Sequence, residues 1–441
     1  MAENSDNILA AEEAHRLRTV CPQRLSSGFA GAAVFAVGSV LLCLWRVLTR
    51  PGVANRVEYI VLLVVACLVM VLLELLVFRV HRQQFDFGRR SQLTRAVHLD
   101  VLRQLGALLA TLTLAWGCYA LFAEYALQFA GFFNPSYAKS WYAPFFDFFK
   151  LATPSLVVLA IPYFYLCALF RKWNRDDDEL LRLWCGYMTL ARLRRPDPVF
   201  WAAIRSLLVK FFFIPVMTVF FLNNARVVED KLILFLAGPW IWDVAFAGRL
   251  FAALYEGLFM LDVSLALLGY ICCFRILDTH IRSAESTLLG WAVALACYPP
   301  FNQRLTGLYI PHDSVGQPWM AVLSGSPWLY YIIGTAILLL VWIYLYATIA
   351  FGLRFSNLTH RGIICRGPYR WIRHPAYVAK NLSWWLVSLP FLHSPGDCVR
   401  LCLLNAIYVL RALTEERHLC YDPAYGEYMK RVKWRFIPGV V

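Results

Sequence analysis

The sequence predicts an all-α polytopic membrane protein with about nine to ten transmembrane helices and a C-terminal helical core. Of its 441 residues, 60% are hydrophobic and 16% are charged, whereas soluble domains are typically about 45–50% apolar and about 25% charged. Seven apolar runs also approach or exceed the roughly 20 residues that cross a bilayer. These runs are 29–49, 59–78, 101–122, 151–170, 207–222, 250–274 and 329–353.

Four shorter apolar runs complete the expected set of membrane segments. They are 232–246, 288–301, 381–392 and 401–413. The first contains Gly238-Pro239 and Asp243, and counting it as a span would disturb the alternation of charge between later loops. We therefore interpret 232–246 as a re-entrant or interfacial segment.

The net charge of +14 is concentrated in short loops beside the apolar runs. Two such loops hold Arg79, Arg82, Arg89, Arg90 and Arg95, and Arg171, Lys172, Arg175, Arg192, Arg194 and Arg195. This distribution follows the positive-inside rule, so it argues against nucleic-acid binding. It predicts a multi-pass membrane protein whose N-terminus, and everything after residue 353, faces the cytoplasm. Three parts result: a tail at 1–27, membrane helices and loops at 28–327, and a C-terminal core at 328–441.

Polar residues inside the apolar runs are few. The 13 cysteines lie mostly within those runs, and no C-x-x-C or Cys/His group has metal-ligand spacing, so we expect no metal site. Ionisable residues in spans are functional candidates because they are costly there. Asp262 is one of them, and we expect it to face a polar cavity or to pair with Lys210 or Arg249.

The most polar region follows the last long run. Tyr369, Arg370, Arg373, His374 and Tyr377 recur at helical spacing, so we expect them to share one helical face that Pro375 bends. A hairpin over 381–413 would return the chain to this side of the membrane.

That return would bring the carboxylate pair Glu415-Glu416 to the basic strip around Arg373. Cations would hold a carboxylate, and a glutamate would accept from an ammonium or a ribose diol. The set suits an amino-acid nucleoside or a dinucleotide.

These motifs resemble the isoprenylcysteine carboxyl methyltransferase and phospholipid methyltransferase superfamily. The similar region is 361–438, with Gly-Pro-Tyr-Arg…Arg-His-Pro-x-Tyr at 367–377, Glu-Glu-x-x-Leu at 415–419 and a closing Tyr-Gly-Glu-Tyr…Arg-Phe-Ile-Pro. The resemblance implies a cytosolic S-adenosylmethionine site and a lipid-like acceptor that enters from the bilayer. It implies cofactor contacts from Tyr369, Arg373, His374, Pro375, Tyr377, Glu415 and Glu416. For the catalytic role of orienting the reacting group, our candidates are Asn381, Arg411 and His360.

The resemblance is also incomplete. Where the family usually has Tyr-x-Gly, this chain has Tyr377-Val378-Ala379, followed by Lys380. The polar pair Lys380-Asn381 either serves the acceptor or extends to the interface. Intramembrane sterol reductases, which hold NADPH, are similar over the same segment and give an alternative function. The Glu415-Glu416 pair favours methyl transfer, because those reductases have an Arg/Asp-rich pattern there. A non-catalytic binding or transport protein is the third possibility, and the oligomeric state stays open.

Overall fold

A computed structural model describes residues 26–49, 56–88, 92–121, 139–299, 301–302 and 319–440. The expected N-terminal tail at 1–27 lies almost entirely outside these residues. The described part contains fourteen α-helices: α1 (Ser27–Thr49), α2 (Arg56–Leu72), α3 (His81–Gln84), α4 (Arg95–Leu121), α5 (Lys139–Phe170), α6 (Glu179–Ala191), α7 (Pro198–Ala237), α8 (Val244–Ile271), α9 (Leu288–Leu295), α10 (Trp319–Leu323), α11 (Pro327–Phe351), α12 (Pro375–Ser388), α13 (Pro395–Leu419) and α14 (Pro423–Arg431).

Seven of these helices are long and apolar enough to cross a membrane, within the part of the chain that the structure describes. They are α1, α2 with its π-helical continuation to Val77, α4, α5, α7, α8 and α11. The seven long apolar runs of the sequence coincide with them. The all-α polytopic fold class is therefore confirmed. The expected count of nine to ten also included the shorter runs, of which 288–301 contains α9, while 381–392 and 401–413 lie largely in α12 and α13.

Of the two interpretations of 232–246, the re-entrant one is wrong, and the interfacial one stays a prediction. Residues up to Ala237 continue α7, which is 40 residues long, and Val244 already begins α8. Gly238 and Pro239 end the first helix because proline cannot donate the hydrogen bond that a further turn needs. The side chain of Asp243 then caps α8 by accepting from the backbone N–H of Phe246 at 2.7 Å. The segment is thus a short connection between two long helices.

The core lies between α1, α2, α7, α8 and α11. Phe213 of α7 stacks on Tyr270 of α8, with ring centroids 5.0 Å apart and planes 5° apart. Both side chains are almost fully buried. This packing fixes Tyr270, whose hydroxyl accepts from the amide of Asn357 on the chain beyond α11.

Asp262 is buried in this helical interior and is bound by hydroxyl groups. Tyr344 donates to its Oδ2 at 2.9 Å, and Thr348 donates to its Oδ1. The expected alternative of pairing with Lys210 or Arg249 does not occur, because Lys210 binds Glu179 and Arg249 donates to the carbonyl of Pro239.

A two-residue antiparallel ladder ties the end of α8 to the chain after α11. Strand β1 (Ser283–Ala284) pairs with β2 (Thr359–His360). Beside it, the buried guanidinium of Arg361 donates to the carbonyls of Thr279, Gly269 and Phe355 at 2.6–2.8 Å. The carbonyl of Gly269 lies in the last turn of α8, where carbonyl groups have no backbone partner within the helix, and Arg361 satisfies it.

The C-terminal helices differ from the sequence prediction in one respect. We expected a bent helix through Tyr369–Tyr377, but Gly367–Arg370 is a 3-10 turn and α12 begins only at Pro375. Proline suits a first helical position and disfavours helical backbone in the residue before it, and His374 accordingly has φ −125° and ψ 57°. Helices α12 and α13 are joined by a short connection, so that the start of α12 meets the end of α13.

Candidate functional site

A cleft opens where four parts of the structure meet: α9, α12, α13 and residues 357–359, which follow α11. Twelve residues line it: Glu285, Gly290, Ala294, Asn357, Leu358, Thr359, Tyr377, Arg411, Thr414, Glu415, His418 and Leu419. Its mixture of acidic, basic and aromatic groups suits a small polar ligand.

Arg411 is the buried cation of the cleft. Its guanidinium donates to Oδ1 of Asn357, and its Cζ lies 5.6 Å from the ring centroid of Tyr298 and 5.2 Å from that of Tyr377. Asn357 is held in turn, since its Nδ2 donates to the hydroxyls of Tyr270 and Tyr298 at 2.7 and 2.9 Å. A neutral amide and two aromatic faces thus fix the charge of Arg411 at the cleft wall.

Glu415 is the acidic group on the same wall. The hydroxyl of Tyr377 donates to its Oε2 at 2.6 Å. The Tyr377 ring stacks on His374, with centroids 5.3 Å apart and planes 9° apart. Since a carboxylate accepts up to about four hydrogen bonds, Glu415 retains capacity for a ligand.

Glu416 has a different environment. It is 5% exposed, and its Oε1 lies 3.0 Å from Nε2 of His374. Its Oε2 accepts from Arg373 at 3.1 Å and from Arg435 at 2.8 Å. Burial acts to raise the pKa of Glu416, but hydrogen bonds from His374 and Arg435 outweigh it and lower the pKa to about 2. The ionised carboxylate therefore holds three basic side chains together; we call these four residues the Glu416 cluster.

The backbone reinforces the Glu416 cluster. The N–H groups of Arg373 and His374 donate to the carbonyls of Trp434 and Arg435 at 2.9 and 3.0 Å. The chain after α14 is thereby bound along the segment that leads into α12. Both the side chains and the backbone of this cluster fix the position of Tyr377, one turn into α12.

Glu285 closes the cleft from the side of α9. Its Oε1 accepts from the Thr287 hydroxyl at 2.7 Å and from Arg417 at 2.9 Å. Burial acts to raise the pKa of Glu285, but the bonds from Thr287 outweigh it, so that the pKa is lowered. His418 lies beside it, with Nε2 3.1 Å from Oγ of Ser283.

Comparison with known proteins identifies the C-terminal part of this arrangement. Residues 328–421 match the model of the isoprenylcysteine carboxyl methyltransferase (ICMT) family. This segment is ICMT-like. No curated protein and no solved structure matches the chain. The match supports a membrane methyltransferase, and it confirms the resemblance that the motifs indicated.

The ICMT-like segment supplies most of the cleft. Nine of the twelve lining residues lie within 328–421, and the other three are Glu285, Gly290 and Ala294. Of the residues proposed from the sequence, the structure brings Tyr377, Arg411 and Glu415 together on the cleft wall. It places Arg373, His374 and Glu416 in contact with one another beside that wall.

The remaining sequence candidates have other surroundings. Pro375 is the buried first residue of α12. The ring of Tyr369 packs edge-on against Phe351, and its carbonyl accepts from the Tyr428 hydroxyl at 2.7 Å. Asn381 donates to the carbonyl of Tyr377 at 2.7 Å. His360 lies in β2 with Nε2 3.3 Å from Asp422, and it is not among the residues that line the cleft.

Sequence reasoning missed Asn357, Tyr298, Glu285 and His418. Asn357 stands in the basic stretch after α11, and its polarity was the only signal for it. Glu285 lies 132 residues before Arg417, its partner. No periodic pattern in the sequence could indicate this contact, because it depends on the ladder between β1 and β2.

Proposed function

We propose that the chain transfers a methyl group from S-adenosylmethionine to a lipid-like acceptor at the cytoplasmic face of a membrane. One observation carries this proposal: the ICMT-like segment forms most of a cleft in which Arg411, Tyr377 and Glu415 meet. Anionic, cationic and aromatic groups thus line one cleft.

The residues of the cleft fit S-adenosylmethionine chemically. Arg411 would hold the amino-acid carboxylate through a charge-assisted hydrogen bond. Glu415 would accept from the ammonium or from the ribose diol. The rings of Tyr377 and Tyr298 offer faces to a positively charged or planar group. We propose that Arg373, His374 and Glu416 act on the cofactor by positioning Tyr377 and Glu415, because their side chains already bind one another.

The chemistry needs little from the protein beyond alignment. When bound, S-adenosylmethionine supplies a methyl group on a sulfonium, which an acceptor displaces in line. The chain's task is to orient the acceptor and to exclude water. Asn381 is suited to orientation, because its Oδ1 is buried and has no hydrogen-bond partner among the described residues, one turn beyond Tyr377. Arg411 and His360 remain our further candidates for this role.

The orientation in the membrane rests on the basic loops. Gln84, the last residue of α3, and Arg354, after α11, bind Asp278 at 3.0 and 2.7 Å respectively. Arg275 donates to the carbonyl of Asp177 in the loop before α6. The basic loops therefore gather at the end of the molecule that carries the ICMT-like segment. By the positive-inside rule this end would face the cytoplasm.

The acceptor would approach through the bilayer. Leu339 and Trp342 of α11 and Leu382 of α12 are large apolar side chains that stand exposed on neighbouring helices. We propose that the apolar tail of the acceptor lies along this surface while its reacting group enters the cleft.

Titration calorimetry of the purified full chain in lipid nanodiscs tests the proposal. We expect heat from S-adenosylmethionine and S-adenosylhomocysteine, and none from NADPH. Glu415→Gln and Arg411→Lys should each weaken binding by about tenfold or more, since hydrogen bonds to charged groups contribute about 1.5–3 kcal/mol. The matched control Glu427→Gln, whose carboxylate binds Lys430 outside the cleft, should bind as the wild type does.

Three results would contradict the proposal in different ways. Binding of NADPH but not of S-adenosylmethionine would favour the reductase alternative. The absence of binding heat from all three compounds would favour a non-catalytic protein. Equal affinity of the wild type and both cleft variants would place the cofactor elsewhere in the chain.

A further inference from the structure

The ammonium group of Lys380 lies inside an aromatic cage. Its Nζ is 5.4 Å from the ring centroid of Tyr344, 5.2 Å from that of Trp384 and 5.9 Å from that of Tyr408. All three distances are within the roughly 6 Å over which a cation is attracted to a ring face. The rings come from α11, α12 and α13, so the cage exists only when these helices are packed together.

The cage is the immediate neighbour of the cleft. Lys380 follows Tyr377 by three positions on α12, and Tyr408 precedes Arg411 by three on α13. The rings of Tyr377 and Tyr408 are in contact, with centroids 5.6 Å apart. Trp384 continues this row, since its ring centroid lies 5.4 Å from that of Tyr408. A group that extends from the cleft past Tyr377 would therefore meet Lys380 and its cage.

The cage wall is held in place by a buried carboxylate. The hydroxyl of Tyr344 donates to Oδ2 of Asp262 at 2.9 Å, and Thr348, one turn further along α11, donates to the other oxygen. Tyr344 is thus fixed at both ends, by its helix and by Asp262. The cage is a preformed feature rather than a chance arrangement of exposed rings.

Aromatic cages of this kind are the means by which proteins bind quaternary ammonium and methylated amine groups. In this chain the cage already contains a cation of its own. An acceptor that carries an ammonium would have to displace Lys380, and it would also meet the like charge of Arg411. Specificity commonly rests on such a repulsive element as well as on attraction.

We propose that Lys380 determines acceptor specificity by filling the cage, so that amine headgroups are excluded and the reacting group of the acceptor is neutral or anionic. This inference rests on the proposed function for its meaning, because it names the class of acceptor. The occupancy of the cage, however, is measured without any methyl transfer.

The first experiment uses tetramethylammonium as the probe, with the full chain in nanodiscs and saturation-transfer NMR as the measurement. We expect the wild type to bind the probe weakly and Lys380→Ala to bind it about tenfold or more tightly. Lys380→Met, which fills the cage with a neutral chain, should show no gain. Adding Tyr408→Leu to Lys380→Ala should abolish the gain, and the control Lys430→Ala should match the wild type.

Equal binding by the wild type and a folded Lys380→Ala protein would overturn the assignment, as would a gain that survives the loss of Tyr408. Lys380→Ser empties the cage equally well, and it replaces the alanine variant if the latter does not fold.

The second experiment measures acceptor choice with labelled S-adenosylmethionine and nanodiscs that contain an ethanolamine phospholipid. The wild type should leave this amine unlabelled, whereas Lys380→Ala, which empties the cage, should methylate it, and Lys380→Met, which keeps the cage filled, should not. Efficient labelling by the wild type would overturn the specificity role. If neither the wild type nor either variant transfers a methyl group to any lipid, the proposed function is wrong. The first experiment would still show that Lys380 occupies the cage.

Discussion

Oε1 of Glu416 lies 3.0 Å from Nε2 of His374, 42 positions earlier in the chain. This contact joins the last turns of α13 to the first residue before α12. Arg373 and Arg435 complete the surroundings of the carboxylate. The side chain of Glu416 is therefore central to the stability of the region that carries the cleft.

Replacing Glu416 by alanine should destabilise the protein strongly. Removal of one partner from a buried ion pair leaves charges uncompensated, which costs about 3–5 kcal/mol; because Arg435 is partly exposed, we expect about 2–4 kcal/mol here. Thermal unfolding followed by tryptophan fluorescence in nanodiscs measures the change. Glu427→Ala, which loses only an exposed pair with Lys430, should unfold near the wild-type temperature. Similar unfolding temperatures for both variants would show that the Glu416 cluster contributes little.

Stability should fall as the pH is lowered from 7 to 5. Burial, and then the charge of Arg282, lower the pKa of His360 to about 4, although Asp422 acts in the opposite direction. Burial and Arg275 lower the pKa of His280 to about 3. In an unfolded chain a histidine has a pKa of about 6.5. The folded state therefore binds fewer protons, and its stability is complete above about pH 6.5 and declines below it, by at most about 1.4 kcal/mol per pH unit for each histidine.

Substitution of His360 by asparagine should flatten this pH dependence, as measured by unfolding temperatures at pH 5, 6 and 7. Glu416 does not titrate in this window, because its pKa is about 2 in the folded protein and about 4.3 when unfolded; its contribution is lost only below about pH 4. A His360→Asn slope equal to that of the wild type would contradict the assignment.

A lysine at position 361 should not stabilise the fold as Arg361 does. The planar guanidinium donates to three carbonyls in different directions, whereas an ammonium on a flexible stem cannot reproduce this fork. Each buried carbonyl left without a donor costs about 1–3 kcal/mol. We expect Arg361→Lys to lower the unfolding temperature clearly and Arg361→Ala to lower it further. A lysine variant as stable as the wild type would show that these bonds are dispensable.

Two glycines of α8 give a matched pair. A Cβ added at Gly269 would lie 2.5 Å from the backbone oxygen of Phe355, whereas one added at Gly257 would meet nothing within 4 Å. Backbone cannot move aside as a flexible side chain can. Gly269→Ala should therefore be destabilising, while Gly257→Ala should be neutral or slightly stabilising, since alanine favours helix by about 1 kcal/mol. Parallel unfolding curves measure both, and equal curves would contradict the close approach of Phe355 to α8.

Much of the fold could be predicted because long apolar runs directly reflect the thickness of a bilayer. The end of α7 was misread, since Gly238 and Asp243 interrupt an apolar run in the same way whether the chain re-enters or turns. The contact between Glu416 and the basic strip was predictable from charge and from the hairpin at 381–413. The partner of Arg411 was not, because Asn357 reaches it only through the ladder of β1 and β2.

Lys380 is a second residue whose contacts could not be predicted from the sequence. The sequence left open whether it serves the acceptor or extends to the interface. Its cage combines rings from three helices, and Tyr344 and Tyr408 lie 36 residues before it and 28 after it. Apolar periodicity predicts that such rings are buried, but not which of them face one another.

The pairing of β1 with β2 and the hydrogen bonds of Arg361 determine whether the ICMT-like segment could be separated from the rest of the chain. Its match begins at residue 328, yet β2 pairs with Ser283–Ala284 and Arg361 binds carbonyls at Thr279 and Gly269. A fragment that starts at residue 328 would lack those carbonyls, the pairing strand and Glu285. The boundary of sequence similarity therefore cuts through a single packed unit. Grafting this segment onto another membrane protein would require α8 and α9 to be carried with it.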